Sequence, residues 1–268
     1  MNRIDDAEYL RSTQYRQAHN LRARLDVLNR YRSHPTPWYV WLFKHLQLPP
    51  TATILEVGCG LGNLWTENLT RIPTDWHIIL SDFSPGMLAS IQQHLAAQLP
   101  AGDYALLDLQ AVPFPDACFD AVIANHMLYH VPDRPRALAE VQRVLKPGGR
   151  FYASTVGQQH LRELADIVQR FDPHLALWNG WPMESFIVEN GAAQLAPWLT
   201  EIRLERYTDP MCVDQAQGLA GYVLSSTAVP KEQHQAFQNF VEAELRSQGG
   251  RLRVTKEFGL FSGVRSGA

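Results

Sequence analysis

The sequence lacks several features that would place it among membrane, secreted or nucleic-acid-binding proteins. Its three cysteines, Cys59, Cys118 and Cys212, stand apart in neither metal-binding nor disulfide spacing. No apolar run is long enough for a spanning helix, and the opening MNRIDDAEYLRSTQYRQ lacks the apolar core of a signal peptide. The net charge of −3 is not the basic excess of a nucleic-acid binder. We therefore expect a cytoplasmic protein with no membrane insertion and no nucleic-acid partner.

The chain is long enough to form one large domain with its own hydrophobic core. It has 268 residues, of which 46% are hydrophobic, an ordinary balance for a globular protein. Residues 12–32 carry apolar side chains at helical spacing, and residues 38–48, WYVWLFKHLQL, form a second predicted helix that ends before two prolines. We expect a single domain over residues 1–268 that begins with a helical cap, residues 1–48.

Residues 50–156 follow a different pattern, in which short apolar strands alternate with helices. The predicted strands are residues 53–57, 76–81, 103–107, 119–124 and 150–155. The helices between them are residues 62–72, a helix capped by Ser84 with Pro85 at its first position, and a helix from Asp133 to Gly148-Gly149. Strands without polar alternation predict a parallel sheet covered by helices on both faces, an α/β fold.

The C-terminal half contributes a predicted lid and the rest of the sheet. Residues 157–199 have the pattern of an inserted helical lid, and TEIRLERYT, residues 200–208, alternates like a strand. Two helices are predicted around residues 214–226 and 230–247, and the closing RLRVTKEFGLFSGVR has strand character. We assign residues 200–268 to the C-terminal part of the sheet.

A glycine pattern follows the first predicted strand. The segment ILEVGCGLGN places Gly58, Gly60 and Gly62 at every second position, with Glu56 two residues before the first of them. Glycines at this turn let a ligand come close to the backbone, at the sheet edge where α/β proteins bind ligands. The spacing differs from the dinucleotide pattern G-x-G-x-x-G. An acid here would repel a pyrophosphate but suits an ammonium or sulfonium group. Taken alone, the glycines also fit a tight turn without a ligand.

Two further acids follow the next two predicted strands. Asp82 ends the second strand, about 20 residues past the glycines, where a carboxylate accepts hydrogen bonds from ribose hydroxyls. Asp108 ends the third strand and is placed to accept from an adenine amino group. Each acid alone could be a helix cap or turn residue. Because both acids stand at strand ends on the same sheet edge as the glycine loop, together they indicate a site for a nucleoside that carries a positive charge.

Four motifs together resemble the class I methyltransferases that use S-adenosylmethionine (SAM). They are ILEVGCGLGN, SDFSPGML, LLDLQAVPFPDACFDAVIANHMLYHV and LKPGGRFYAST, and the similarity is greatest to the small-molecule branch related to ubiquinone/menaquinone-type enzymes. The resemblance covers residues 50–156, the predicted SAM-binding core, and the C-terminus more weakly. It implies a Rossmann-like seven-stranded sheet in the order 3-2-1-4-5-7-6, with the last strand antiparallel, helices on both faces and a helical lid. It also implies SAM as cofactor and S-adenosylhomocysteine as its product.

The resemblance implies which residues hold the cofactor. The glycine loop would wrap the methionine part, the acid after the second strand would bind the ribose, and the residues after the third strand would hold the adenine edge. The cofactor-binding candidates are Glu56, Gly58, Cys59, Gly60, Asp82, Phe83, Met87, Asp108, Leu109 and Asn125. A cysteine is common at the Cys59 position in this family, so we expect a buried thiol without a nucleophilic role.

Candidates for a general base cluster after the fourth predicted strand, in NHMLYH. His126, Tyr129 and His130 would lie where the methyl group emerges, and a histidine that titrates near neutrality could take a proton. The alternative is that these side chains pack against the cofactor or position the substrate. The other eight histidines form no metal-binding cluster, and we expect them on the solvated surface. No metal is predicted.

The two predicted helical caps contain many aromatic side chains. Trp38, Trp41, Phe43, Trp178, Trp181, Phe186 and Trp198 lie in them. Any single one of these side chains is more simply explained as part of the cap's own core. Among the seven, however, we expect some to face an apolar substrate pocket. Our substrate-contact candidates are Tyr15, Arg24, Trp178 and Trp181.

The predicted function is methyl transfer to oxygen, nitrogen or carbon of a small molecule, the expected partner. The alternatives are an RNA or protein methyltransferase, a nicotinamide dehydrogenase, and a SAM-binding protein without turnover. The slightly negative charge and the sequence NHML at the end of the fourth strand, where enzymes that methylate nucleic-acid amines have an N-P-P-Y type motif, argue against RNA. The glycine spacing, the acid at Glu56 and the second strand-end acid, Asp108, argue against NAD. The acceptor stays open, as does the choice between monomer and homodimer.

Overall fold

The computed structural model describes residue 6 and residues 19–99, 102–177, 185–226 and 228–267. Its strands are β1 Thr53–Val57, β2 His77–Asp82, β3 Gly102–Leu106, β4 Phe119–Asn125, β5 Leu145–Val156, β6 Thr200–Thr208, β7 Met211–Val213, β8 Leu252–Val254 and β9 Glu257–Val264. Its helices are α1 His19–Arg30, α2 Trp38–His45, α3 Asn63–Thr66, α4 Pro85–Leu95, α5 Arg134–Val144, α6 Arg162–Phe171, α7 Gly191–Leu195, α8 Ala216–Leu224 and α9 His234–Ser247.

Seven strands form one mixed sheet in the order β3-β2-β1-β4-β5-β9-β6. β1 lies parallel to β2 and β4, and β5 lies parallel to β4. β9 runs antiparallel to both β5 and β6. β7 and β8 pair with each other in a separate two-stranded ribbon. Without that ribbon β9 is the seventh strand, so the predicted order 3-2-1-4-5-7-6 and the antiparallel last strand are confirmed.

The sheet is buried on both faces. Ile54 of β1 packs into a cluster with Trp65 and Tyr152, whereas the next residue, Leu55, packs on the opposite face with Phe151. Successive side chains of a strand point to opposite faces, so an apolar run without polar alternation buries both of them. The parallel, doubly covered sheet expected from the sequence is confirmed.

The capping residues predicted for the starts of two helices are confirmed. The Ser84 hydroxyl accepts a hydrogen bond from the backbone N–H of Met87 at 3.3 Å, and Pro85 occupies the first position of α4. Asp133 caps α5 in the same way through the N–H of Arg136 at 3.1 Å. Each cap satisfies a backbone donor that the helix leaves without a partner, and each fixes where its helix leaves the sheet edge.

Three element boundaries differ from the sequence expectation. α5 ends at Val144 instead of at Gly148-Gly149, because the segment after it joins β5 and pairs with the chain end: the N–H of Gly148 donates to Arg265 O at 3.0 Å. The predicted helix 62–72 is the short α3 followed by a 3₁₀ turn, Leu69–Arg71. The closing strand-like segment is divided into β8 and β9, and Lys256 lies at the break.

Helices α1, α2 and α8 lie over the carboxyl edge of the sheet. α1 packs on α8, where a methyl group on Gly218 would lie 2.7 Å from the Tyr31 ring. α6 packs on α9 and β8, and α7 packs on β6 and β9. Of the predicted lid 157–199, the described residues are 157–177 and 185–199, and the N-terminal helices cover much of the site below.

Candidate active site

A cavity of about 270 Å³ lies at the carboxyl edge of the sheet. It is lined by the residues that follow β1, β2, β3 and β4, the place where ligands bind in open α/β sheets, and by side chains of α1, α2 and α8. All the predicted site residues that the structure describes line it: Arg24, Glu56, Gly58, Cys59, Gly60, Asp82, Phe83, Met87, Asp108, Leu109, Asn125, His126, Tyr129 and His130. Tyr15, Trp178 and Trp181 lie outside the described residues.

The glycine loop adopts a conformation that few other residues tolerate. Gly58, Gly60 and Gly62 have φ angles of +65°, +57° and +69°, in the left-handed region where a side chain costs strain. A methyl group on Gly62 would also lie 2.3 Å from Ile91 Cδ1. The three glycines therefore let the loop turn tightly at the end of β1 and leave its backbone against the cavity.

Asp82 joins the end of β2 to this loop. Its Oδ2 accepts from the N–H of Gly60 at 3.0 Å, and its Oδ1 accepts from the N–H of Ser84 at 2.8 Å. Burial raises the pKa of Asp82 above the ordinary value of an aspartate, while the hydrogen bonds from Ser84, Gly60 and Phe83 oppose that shift. The carboxyl group lines the cavity as an acceptor for uncharged donors such as hydroxyls.

Glu56 is buried beneath the loop, with 1% of its surface exposed. Its Oε2 accepts from Nε1 of Trp65 at 2.6 Å, a partner that sequence spacing did not indicate. Burial raises the pKa of Glu56 to about 8, with the Trp65 hydrogen bond opposing the shift and Asp82 adding to it. Its carboxyl group is mostly protonated at neutral pH, and a cation placed beside it would favour ionisation.

Cys59 is buried in the same loop, as expected. Its N–H donates to Ser81 O at 2.8 Å. Burial raises the pKa of the thiol, and the charges of Asp82 and Glu56 raise it further. A thiol held in its protonated form is a weak nucleophile, which fits the expectation of a packing role.

Asp108 is both a turn residue and a cavity residue. Its Oδ1 accepts from the N–H of Gln110 at 2.9 Å, and Nε2 of the same glutamine lies 3.0 Å from both carboxylate oxygens. Asp108 is therefore a turn residue, which was one of the two sequence-based interpretations. Its side chain also lines the cavity, beside Leu109. Its contact with an adenine amino group stays a prediction, one that requires the Gln110 amide to share or release the carboxylate.

The end of β4 turns sharply at His126. Its φ is +52°, a left-handed value in a residue with a side chain. Its N–H donates to the backbone oxygen and the hydroxyl of Ser154, at 3.2 and 3.0 Å. That hydroxyl in turn donates to Oδ1 of Asn125. These bonds fix the turn, and the imidazole packs among residues that come from α2 and β9.

The His126 imidazole is enclosed by aromatic rings. Its ring centroid lies 5.3 Å from that of Trp38 and 4.4 Å from that of Phe258. Nε2 is buried and finds no hydrogen-bond partner among the described residues. Burial, together with the charge of Lys256, lowers the pKa of His126 to about 3. The premise that this histidine titrates near neutrality is wrong for this environment; its role as a base stays a prediction.

Tyr129 and His130 form a separate pair on the 3₁₀ turn Leu128–His130. Their ring centroids lie 4.5 Å apart in an edge-on arrangement, and both side chains line the cavity together with Arg24 of α1. Their proposed roles in proton transfer and substrate contact stay predictions.

Sequence reasoning missed several cavity residues, among them His160, Lys256 and Phe258. His160 was expected on the surface, but only 5% of it is exposed, and its ring centroid lies 5.1 Å from that of Phe258. Burial, with the charges of His126 and Lys256, lowers its pKa. A lone histidine in a polar stretch and a lone lysine between two strands carry no sequence signal for burial.

Lys256 forms a buried ion pair. Its Nζ donates to Asp209 Oδ2 at 2.6 Å and to Leu28 O at 3.2 Å. The other oxygen of Asp209 accepts from the N–H groups of Ser33 and His34, each at 2.7 Å. Burial lowers the pKa of Lys256, although Asp209 opposes the shift. The pair ties the end of α1 to the break between β8 and β9.

The cap aromatics divide between core and cavity. Phe43 packs edge-on against Trp65, and Phe186 packs against Phe261, as the core interpretation predicts. Trp38 instead lines the cavity with 4% of its surface exposed, and its ring stacks at 5.3 Å on Trp41. Trp198 is half-buried against the core of the opposite face.

Among the described residues, no group of three or more His, Cys, Asp or Glu side chains could hold a metal ion. Within the same ranges, the helices are too short or too polar to cross a membrane.

The core of the chain matches a known protein family. Residues 55–153, from β1 to β5, match the family described as a methyltransferase domain. That range holds the glycine loop, both strand-end acids and His126. Over this segment the chain is similar to the class I SAM-dependent methyltransferases. SAM is the cofactor of this family, and the residues around the loop suit it: an acid for a cationic group, a carboxyl acceptor for hydroxyls, and a backbone free of side chains.

Two relatives show the same similarity. The chain is 33% identical over 165 residues to a malonyl-[acyl-carrier protein] O-methyltransferase of Serratia marcescens, covering 60% of each chain. It is 34% identical over 131 residues to a ubiquinone/menaquinone biosynthesis C-methyltransferase of Geotalea daltonii, covering 47% of this chain and 56% of that protein. The chain thus spans less than two thirds of the length of either relative.

A solved structure supports the fold. The structure superposes on a phosphoethanolamine N-methyltransferase of Haemonchus contortus with a TM-score of 0.61 and 15% identity, over 98% of this chain and 60% of that one. At this identity the likeness concerns the fold alone.

Proposed function

We propose that this methyltransferase transfers the methyl group of SAM to a small-molecule acceptor bound in the same cavity. The observation that carries the proposal is the division of the cavity lining. Three acids, Glu56, Asp82 and Asp108, stand at the ends of β1, β2 and β3. Aromatic and apolar side chains, among them Trp38 and Phe258, line the part beyond β4. One half suits a charged nucleoside and the other a mostly apolar molecule.

The cofactor half would hold SAM through the residues expected from the sequence. Asp82 would accept from the ribose hydroxyls, Asp108 and the Leu109 backbone would hold the adenine edge, and Glu56 would face the positive methionine end. SAM supplies a methyl group on a sulfonium that is its own leaving group, so the protein's main task is to align the reactants and exclude water. Alignment of this kind supplies about 7–11 kcal/mol of barrier lowering in model reactions.

The acceptor half would position the nucleophile. His126 would contact it as a neutral imidazole, while Tyr129 and His130 remain candidates to take a proton if the acceptor carries one of high pKa. Arg24 would close the cavity from α1, and Tyr15, Trp178 and Trp181 are proposed to complete it. The three unpaired cysteines fit a reducing compartment, and we propose the cytoplasm.

The test is a methyl-labelling experiment with three acceptor pools. Protein and methyl-labelled SAM are incubated with a dialysable small-molecule extract, with RNA and with a protein fraction, using Asp82→Ala as the matched control. The proposal expects label in small-molecule products and none with the variant. Label in RNA or protein would establish the alternative acceptor class. SAM binding with no label in any pool would indicate a binding protein without turnover.

A further inference from the structure

The charged groups around the cavity are unevenly distributed. The three carboxyl groups stand at the ends of β1, β2 and β3, on one side of the sheet order. The other side is formed by residues at or just past the ends of β4 and β5, by the start of β9 with the residue before it, and by α2. We name that other side the acceptor pocket; its residues are Trp38, His126, Val156, His160, Lys256 and Phe258. It holds the ammonium of Lys256 and no carboxylate among these residues.

Of the Lys256–Asp209 ion pair, only the cationic residue belongs to the cavity lining. Lys256 lines the cavity, whereas Asp209 is fully buried behind it and is held by the N–H groups of Ser33 and His34 at 2.7 Å. Among the described residues, two of the three ammonium protons are used, by Asp209 and by Leu28 O. The third is available to a ligand.

The pocket also contains buried polar atoms without a partner. His126 Nε2 and Trp38 Nε1 are both buried and make no hydrogen bond among the described residues. Unpaired polar atoms are costly in an interior, and a bound polar ligand would satisfy them. Trp38 Nε1–H is a donor only, so the pocket offers hydrogen-bond donors from Trp38 and Lys256 to an acceptor atom.

A cation would find this pocket unfavourable despite its aromatic rings. Ring faces attract cations, but Lys256 Nζ already lies 5.3 Å from the centre of the Phe258 ring and 5.9 Å from that of Tyr207. A second cation would share those faces with an ammonium of like charge. The two histidines are uncharged at neutral pH because burial lowers the pKa of each, so they do not offset that repulsion.

We propose that the acceptor pocket binds a molecule whose reacting group is an acidic oxygen group, such as a phenol, enol or carboxylic acid, and that Lys256 selects against amines. This inference rests on the proposed function. In the transfer, the acceptor has first lost its proton to solvent. An electron pair on its oxygen, or on the carbon of its enolate, forms the bond to the methyl group. The sulfur–methyl bond breaks with its pair going to sulfur, so the positive and negative charges cancel in the two products.

The test measures binding of probes that share a ring and differ in charge. Protein saturated with S-adenosylhomocysteine is titrated calorimetrically with benzoate, benzyl alcohol and benzylamine. We expect benzoate to bind at least about tenfold more tightly than either of the others, equivalent to about 1.4 kcal/mol. In parallel, 4-nitrophenol, which is coloured as its phenolate, should gain phenolate absorbance on binding at fixed pH.

The double variant Lys256→Met/Asp209→Asn removes both charges and leaves neither ion alone. It should bind benzoate and benzyl alcohol equally, with its fold checked by circular dichroism. A variant that kept the benzoate preference would overturn the assignment to Lys256. If the variant does not fold, the affinities of the three probes for the wild-type protein decide the question. The proposal is overturned if benzylamine binds most tightly, if all three probes bind equally, or if none binds. Failure of S-adenosylhomocysteine itself to bind would instead refute the proposed function.

Discussion

Binding of SAM should be coupled to ionisation of Glu56. Its carboxyl group has a pKa raised to about 8 by burial, so most of it is protonated in the free protein at pH 6–7. If the cationic end of SAM lies beside it, the bound state requires the carboxylate. Binding then releases about one proton, and affinity rises with pH by up to about tenfold, or about 1.4 kcal/mol, per unit. The rise should level off above about pH 8, where most of Glu56 is ionised in the free protein and the ligand's α-amino group loses its own proton.

The matched perturbation is Glu56→Gln. Glutamine keeps the shape and can still accept from Trp65 Nε1, which lies 2.6 Å from the present oxygen, but it does not ionise. The variant should bind SAM about as weakly as the wild type at pH 6, and should fall behind as pH increases. Any pH dependence of SAM affinity that remains in the variant arises from other groups. The first candidate is Asp82, whose pKa is also raised by burial.

The assay is calorimetry between about pH 6 and 7.5, repeated in two buffers of different ionisation enthalpy. The difference between the observed enthalpies gives the number of protons released per SAM bound. We expect about one for the wild type and a value near zero for Glu56→Gln. A wild-type affinity independent of pH, or the same proton count in both proteins, would refute the placement of Glu56 beside the cation.

Four other outcomes are expected. The substitution Asp82→Ala should abolish SAM binding while the circular dichroism spectrum stays native. Gly60→Val should do the same, because Gly60 has a φ of +57°. Wild-type SAM affinity in either variant would reject the site. His126→Ala should lower turnover in the labelling assay with little change in SAM affinity, and unchanged turnover would remove His126 from the machinery. Asp209→Asn should cost about 3–5 kcal/mol in the free energy of unfolding, since it leaves the buried Lys256 ammonium unpaired, and adding Lys256→Met should recover much of it in denaturant titrations; an unaltered single variant would contradict this. Because the folded pKa of Glu56, about 8, exceeds its unfolded value of 4.5, its contribution to stability is complete below pH 4.5 and is lost as pH rises through 8; Glu56→Gln should flatten this part of the stability–pH curve.

The cofactor half could be predicted from the sequence because its determinants are local. A glycine loop and the acids at the ends of β1, β2 and β3 come within about 55 residues, and the parallel sheet brings strand ends to one edge. The glycine spacing needed no tertiary information, and the left-handed φ angles of all three glycines follow from it. Trp65 escaped prediction, since a helix of four residues, Asn63–Thr66, gives no period from which to infer which side is buried.

The acceptor half could not be predicted because it is assembled from distant segments. Lys256, Asp209 and His160 lie far apart in the chain, and lysine and aspartate are usually exposed, while histidine is intermediate. Their burial results from the antiparallel placement of β9 between β5 and β6 and from α1 closing over the pocket. Likewise, the low pKa of His126 arises from burial against rings of α2 and β9 and from the charge of Lys256 between β8 and β9. The motif NHMLYH does not indicate any of these neighbours.

The most direct test of the central claim is a calorimetric titration of the protein with SAM and, separately, with NAD. The glycine spacing, the buried Glu56 and the second strand-end acid, Asp108, together predict micromolar binding of SAM and no binding of NAD. NAD binding, with none of SAM, would contradict the assignment of the glycine loop and of every residue placed around it.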